Sequence, residues 1–166
     1  EALGVDAAAI GRHCDTVTLC LSKGLGCPFG AILAGPAASM ERAWREKHLF
    51  GGAMRQAGIA AAAGIYALDH HVERLADDHR RARRLAGQWL ERGLAVDLER
   101  VQSNFVQVDV APLGLGPEEA LRRAASAGVS LSATIHPTIL RAVTHLDVGD
   151  AEIERAGEVV PLALRG

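Results

Sequence analysis

The sequence predicts an α/β chain in two parts, and three observations carry that prediction. Two β-type runs, Val17 to Leu21 and Phe29 to Ala34, flank a break that falls on Gly24 and Gly26. An amphipathic helix follows over Val72 to Arg92. Past Gly93 the pattern changes to short alternating elements. Residues 1–70 therefore read as the end of a larger sheet domain, and residues 71–166 as a small α/β domain whose short sheet is covered by helices.

Each element has a local cause. Asp6 can cap a short helix over Ala7 to His13. Asp15 to Leu21 and Phe29 to Ala34 are strands, antiparallel because only a tight connection separates them. Pro36 is placed to open a helix through Ala43 and Arg45. Phe50-Gly51-Gly52 is a break, and an Ala-rich helix is expected from about Ala53 to Leu68. The tandem His70-His71 marks the next boundary and reads as solvated loop histidines. In the 72–92 helix, Val72, Leu75, His79, Ala82, Leu85 and Trp89 recur at three- and four-residue steps, which makes a core face. Arg80, Arg81, Arg83 and Arg84 mostly occupy the other face, near Asp77 and Asp78. Asn104 to Val110 alternates as a half-buried strand, with Phe105 and Gln107 on one face and Val106 and Val108 on the other. Pro117 opens a helix through Ala125. Val129 to Ala133 and Ile139 to Thr144 read as strands, and Asp150 caps a last helix lined by Ile153, Val160 and Leu164.

Composition narrows the function classes. Of 166 residues, 49% are apolar but only 4% aromatic, so the core must be built from Ala, Val, Leu and Ile. A net charge of −2 gives no reason to expect nucleic acid or an anionic membrane as partner, and the arginine cluster reads as a solvated, salt-bridged face. No apolar run approaches the roughly 20 residues of a membrane span. Cys14, Cys20 and Cys27 are odd in number and read as reduced thiols of a cytoplasmic protein. With His13 they lack zinc-type spacing, so no metal is expected. Trp44 and Trp89 read as packing residues.

Lys23 stands out by position. It follows a strand expected to be buried and precedes Gly24-Leu25-Gly26, a tight turn where bare backbone lets another group approach. A lysine held at the end of a buried strand would be a nucleophile toward carbonyls. The other reading is a snorkelling lysine with its head in water.

Four segments then decide between the two. Ser22-Lys23-Gly24-Leu25-Gly26-Cys27-Pro28-Phe29-Gly30, Gly51-Gly52-Ala53-Met54-Arg55-Gln56-Ala57-Gly58, Ser103 to Asp109, and Leu140-Arg141-Ala142-Val143-Thr144-His145-Leu146-Asp147-Val148 together resemble the L-threonine aldolase family, in order and in spacing. The resemblance implies the fold-type-I architecture: the end of a pyridoxal-phosphate-dependent transferase-like large domain, plus a small C-terminal α/β domain. It implies pyridoxal 5'-phosphate as cofactor and Lys23 as the Schiff-base lysine. It implies that Arg55 lies close to the cofactor phosphate and that Arg141 takes the substrate carboxylate, for which a guanidinium offers a planar fork. Ser22 and His145 carry no assigned role. The family often has lysine seven residues before the Arg55 position, where this chain has His48.

The expected activity is cleavage of L-threonine, L-allo-threonine and related β-hydroxy-α-amino acids to glycine and an aldehyde. The expected assembly is a homo-oligomer, a dimer of dimers. The chain opens on Glu1-Ala2-Leu3-Gly4, which reads as the middle of a longer enzyme and leaves an isolated fragment without activity as the expectation. Two alternatives stand beside this reading: a catalytically inert assembly or regulatory fragment, and another fold-type-I reaction, β-elimination or transamination. Fold alone does not choose among reactions.

Overall fold

Asp6 caps the first helix as expected. Its side chain accepts from the Ala8 amide at 2.9 Å and caps helix α1, Ala7–Gly11. The structure, a computed structural model, describes residues 1–166 and divides into two units, Glu1–Leu75 and Ala76–Gly166.

In the first unit, strands β1 (Val17–Cys20) and β2 (Ala31–Ala34) form an antiparallel pair, with Val17 opposite Ala34 and Cys20 opposite Ala31. The antiparallel expectation holds, but both strands are shorter than the apolar runs suggest. Every residue of both is exposed. This corrects the expectation of a buried strand before Lys23, because a two-stranded ribbon has no layer of its own to cover either face. Pro36 caps helix α2, Ala37–Leu49. Trp44 on α2 is 61% exposed, with its ring against His48 instead of in a core. Helix α3 spans Gly58–His70 and starts later than expected. Gln56 takes a left-handed φ of 55°, which no helix tolerates, so Ala53 to Ala57 remain outside it. The unit's small core is Leu21, Leu25, Cys27 and Ala67.

The second unit holds most of helix α4, Leu75–Glu91, then β3 (Phe105–Asp109), α5 (Pro117–Ser126), β4 (Ser132–Ala133), β5 (Ile139–Val143) and α6 (Asp150–Arg165). Its sheet is three-stranded and antiparallel, in the order β3-β5-β4. One face buries Val106, Val108, Leu140 and Ala142 against Trp89 of α4, Ala120 of α5, and Ile153, Val160 and Leu164 of α6. The indole N–H of Trp89 donates to the Ala156 carbonyl at 3.1 Å, so its polar edge is satisfied within the core. The opposite face carries Phe105, Gln107 and Asp109 on β3 and Ile139, Arg141 and Val143 on β5. The predicted strand over Val129 to Ala133 shrinks to β4, which pairs only Ser132 and Ala133 with β5. Asp150 is the first helical residue of α6 and not its cap; Glu152 closes that end by accepting from the Gly149 amide at 2.9 Å.

Asp78 departs from its expected place beside the arginines. It is fully buried, because Leu75, Asp78, Ala82, Leu85 and Trp89 share the 3-4-3-4 spacing of one helix face. The Thr144 hydroxyl donates to the Asp78 main-chain carbonyl at 2.7 Å.

Candidate active site

The Lys23 loop is built from its backbone. The Leu21 amide donates to the Gly30 carbonyl at 3.0 Å, carrying the β1–β2 pairing one step further. The Gly26 amide donates back to the Lys23 carbonyl at 2.8 Å, and the Cys27 amide to the Leu21 carbonyl at 3.1 Å. Gly26 takes a φ of 73°, which only glycine adopts without strain. The chain thus folds into a closed loop between Leu21 and Cys27. Leu21, Leu25 and Cys27 turn inward to the small core, and Lys23 turns outward.

Lys23 is exposed, which corrects the expectation of a desolvated amine. The physical reason is the turn: the chain reverses at Lys23, whose carbonyl accepts from the Gly26 amide, and the inward positions belong to Leu21 and Leu25 on either side of it. In this chain the amine stands in solvent and forms no ion pair.

Three side-chain contacts fasten this loop, one from its own Cys27 and two from outside it. Cys27 Sγ contacts the Ala63 carbonyl at 3.5 Å. His71 Nδ1 lies 2.6 Å from the Leu25 carbonyl, so the proton sits on Nδ1. Arg74 Nη1 donates to the Gly24 carbonyl at 3.3 Å. His71 is therefore no solvated loop histidine. Its ring is half-buried and packs edge-on to Tyr66, with ring centroids 5.5 Å apart.

Arg55 is exposed on the turn before α3, and no hydrogen bond or ion pair joins it to Lys23. The preceding Gly51-Gly52 has a structural job. Gly51 has a φ of 74°, its amide donates to the His48 carbonyl at 3.2 Å, and the Gly52 amide donates to the Lys47 carbonyl at 2.7 Å. That pattern is a Schellman motif closing α2. His48 turns its ring back along α2, with Nδ1 2.8 Å from the Trp44 carbonyl.

Arg141 belongs to the second unit, on the open face of the sheet. Its Nε donates to Ser132 Oγ at 3.2 Å, and its guanidinium lies 5.1 Å from the centre of the Phe105 ring. By register it stands opposite Gln107. Its two terminal nitrogens are left for another planar acceptor. Along the same face runs a cavity of about 400 Å³, lined among others by Arg100, Ser103, Phe105, Gln107 and Asp109. The Asp109 carboxyl is held below the usual range, first by the Ala111 amide and then by the Thr138 hydroxyl. His145 stays local, with Nδ1 accepting from the Asp147 amide at 3.3 Å.

Sequence reasoning missed His71, Arg74 and Ser132. The tandem histidine was a visible signal, but a bond to a main-chain carbonyl 46 residues away has no periodicity to betray it. Lys23 and Arg55 lie in the first unit and Arg141 in the second.

Comparison with solved structures defines the class first. The chain matches a candidate aromatic amino acid beta-eliminating lyase/threonine aldolase of Exiguobacterium sp. 255-15 with a TM-score of 0.71, at 21% identity, over 98% of this chain and 48% of that one. It matches the serine palmitoyltransferase of Sphingomonas wittichii with a TM-score of 0.73, at 22% identity, over 95% of this chain and 41% of that one. The architecture is that of fold-type-I enzymes.

The family follows from sequence. The family model for beta-eliminating lyase matches residues 1–111, and the chain belongs to that family. It is 40% identical over 152 residues to the low specificity L-threonine aldolase of Escherichia coli (strain K12), covering 92% of this chain and 44% of the relative. It is 34% identical over 166 residues to the aldolase vrtJ of Penicillium aethiopicum, covering 96% of this chain and 41% of the relative. The chain thus spans less than half the length of these relatives.

Family and fold together imply dependence on pyridoxal phosphate. The residues present fit that group. Lys23 offers an accessible primary amine on a fastened loop, and Arg55 an exposed guanidinium for a phosphate.

Proposed function

We propose that the protein carrying this chain is a pyridoxal-phosphate-dependent aldolase that cleaves L-threonine, L-allo-threonine and related β-hydroxy-α-amino acids to glycine and an aldehyde. The observation that carries this reading is 40% identity to an L-threonine aldolase across 92% of the chain, in a molecule that presents Lys23 on a fastened loop.

The chain's own residues divide the work. Lys23 would hold the cofactor through its amine. Bound there, the cofactor supplies the electron sink for the pair released when Cα–Cβ breaks. Arg55 would offer its guanidinium to the cofactor phosphate. Arg141, with Nε tied to Ser132 and its plane over Phe105, offers its terminal nitrogens to the substrate carboxylate. Fixing the carboxylate limits rotation about the bond to Cα and so sets which bond is aligned for cleavage.

Residues 1–70 serve as the C-terminal part of the cofactor domain, and residues 71–166 as the small domain that carries Arg141. The enzyme works as a dimer of dimers, a reading supported by the exposed apolar residues Ile59, Ile65 and Tyr66 on α3. The three thiols are free, in keeping with a cytoplasmic setting, and no helix is long and apolar enough to cross a membrane.

The test is cofactor trapping in the protein at the full length of its relatives. Incubation with pyridoxal phosphate, borohydride reduction and peptide mapping should place the label on Lys23, with threonine turned over to equimolar glycine and acetaldehyde. An unlabelled Lys23 overturns the assignment. Keto acid in place of the aldehyde would instead establish β-elimination or transamination, the second reading that the family match supports.

A further inference from the structure

We infer that His71 and Arg74 are positioning residues for Lys23, acting through the main-chain carbonyls of the two residues that follow it. The inference rests on the reading of Lys23 as the cofactor-bearing lysine.

The two bonds fall on consecutive peptide groups. Arg74 Nη1 donates to the Gly24 carbonyl at 3.3 Å and His71 Nδ1 to the Leu25 carbonyl at 2.6 Å. Both donors come from the end of α3 and the segment just after it, 46 and 50 residues along the chain. The loop they reach is the part of the unit least able to hold itself. Gly24 and Gly26 flank Leu25, and glycine has the most backbone freedom to lose. Two main-chain bonds lie within the loop, from the Gly26 amide to the Lys23 carbonyl and from the Cys27 amide to the Leu21 carbonyl, and neither uses the Gly24 or Leu25 carbonyl.

A third contact points the same way. A methyl group built on Gly24 would come within 2.8 Å of Leu75 Cδ2, so the loop backbone lies directly against the segment that carries Arg74. Lysine has a flexible four-carbon stem, and its amine can be no better placed than the backbone it hangs from. Two donors on the next two carbonyls remove the hinge freedom of the Gly24 and Leu25 peptide groups. They leave the amine untouched, as a residue that must exchange partners requires.

The experiment uses the full-length protein and separates backbone placement from folding. In the cofactor-free protein, His71→Ala should speed hydrogen exchange of the Gly26 and Cys27 amides about tenfold, the size expected for one lost hydrogen bond. Exchange at Ala43 and Ala63, in α2 and α3 of the same unit, should be unchanged, which reports that this unit is intact. In the loaded enzyme kcat should fall about tenfold, with KM changed less than about twofold. His71→Asn, whose side-chain amide can place a donor near the Nδ1 position, should restore both readouts, and Arg74→Lys should be milder than Arg74→Ala. Wild-type trapping at Lys23 together with unchanged loop exchange and kcat in His71→Ala and Arg74→Ala would overturn this inference and leave the aldolase reading standing. Absence of trapping at Lys23 in the wild type would remove both. A His71→Ala variant that loses protection at Ala43 and Ala63 as well, with no rescue by asparagine, would also overturn it, since His71 would then be a folding residue.

Discussion

Arg141 commits Nε to Ser132 Oγ and lays its guanidinium over Phe105, so its plane is defined before any ligand arrives. Less orientational entropy is then lost on binding, which is how preorganisation raises affinity. Lysine at the same site keeps the charge but loses both the fork and the stacking plane. We therefore expect Arg141→Lys to raise KM for threonine about tenfold or more, an effect of about 1.4 kcal/mol, with the cofactor still trapped on Lys23; steady-state kinetics and borohydride trapping check this. Lys23 shows the opposite design, an exposed amine on a backbone held from outside the loop. Lys23→Ala should abolish both trapping and turnover, because no neighbouring amine is held in its place.

Among the elements, α4 and α6 are joined by charge as well as by apolar packing. Arg81 Nε lies 2.9 Å and Arg80 Nη2 3.3 Å from Asp150 Oδ1, at the first residue of α6. The Asp150 carboxyl is held below the usual carboxylate range, first by the hydrogen bond from Arg81 and also by the charge of Arg80. A carboxylate whose folded pKa is depressed adds stability that is present above its unfolded pKa, about 3.9, and is lost as pH falls through the lower folded value. The Arg81 guanidinium is correspondingly pushed up by the same hydrogen bond. Asp150→Asn should lower the urea midpoint at neutral pH and flatten its decline below about pH 4, since the neutral side chain has no proton to take up. Urea melts at several pH values would show it; parallel curves for variant and wild type would refute it. The decline will not vanish, because the Asp109 carboxyl is depressed as well.

At the scale of the whole molecule, the two units differ in how much apolar surface each encloses. The second buries Trp89, Leu94, Val106, Val108, Leu140, Ile153 and Leu164 in one cluster, while the core of the first is Leu21, Leu25, Cys27 and Ala67. Burial is the main source of stability, so the two units should open at different free energies. We expect the amides of Val106, Val108 and Leu140 in this chain to exchange at least about a hundredfold more slowly than those of Val17 and Leu19, measured by native-state hydrogen exchange. Uniform protection across both sets would show that the strand pair β1–β2 draws on more than its own unit's core.

Legibility followed the range of the forces. Periodicity in the sequence was enough for α4 and α6 and for the split of β3 into a Val106–Val108 face and a Phe105–Gln107 face, and the tight connection was enough for the antiparallel pair around Lys23. Residue types at short spacing also determined the Asp6 cap, and they singled out the loop that bears Lys23. These features depend on backbone geometry within a few residues, and a linear pattern records that geometry. Tertiary structure alone decided that Lys23 is exposed and that His71 and Arg74 reach across 46 and 50 residues to the Lys23 loop. It alone brought Ser132 and Phe105 to Arg141. Such contacts depend on which surfaces meet after folding, and a donor reaching a main-chain carbonyl needs no particular residue at the receiving end, so nothing in the linear order marks them.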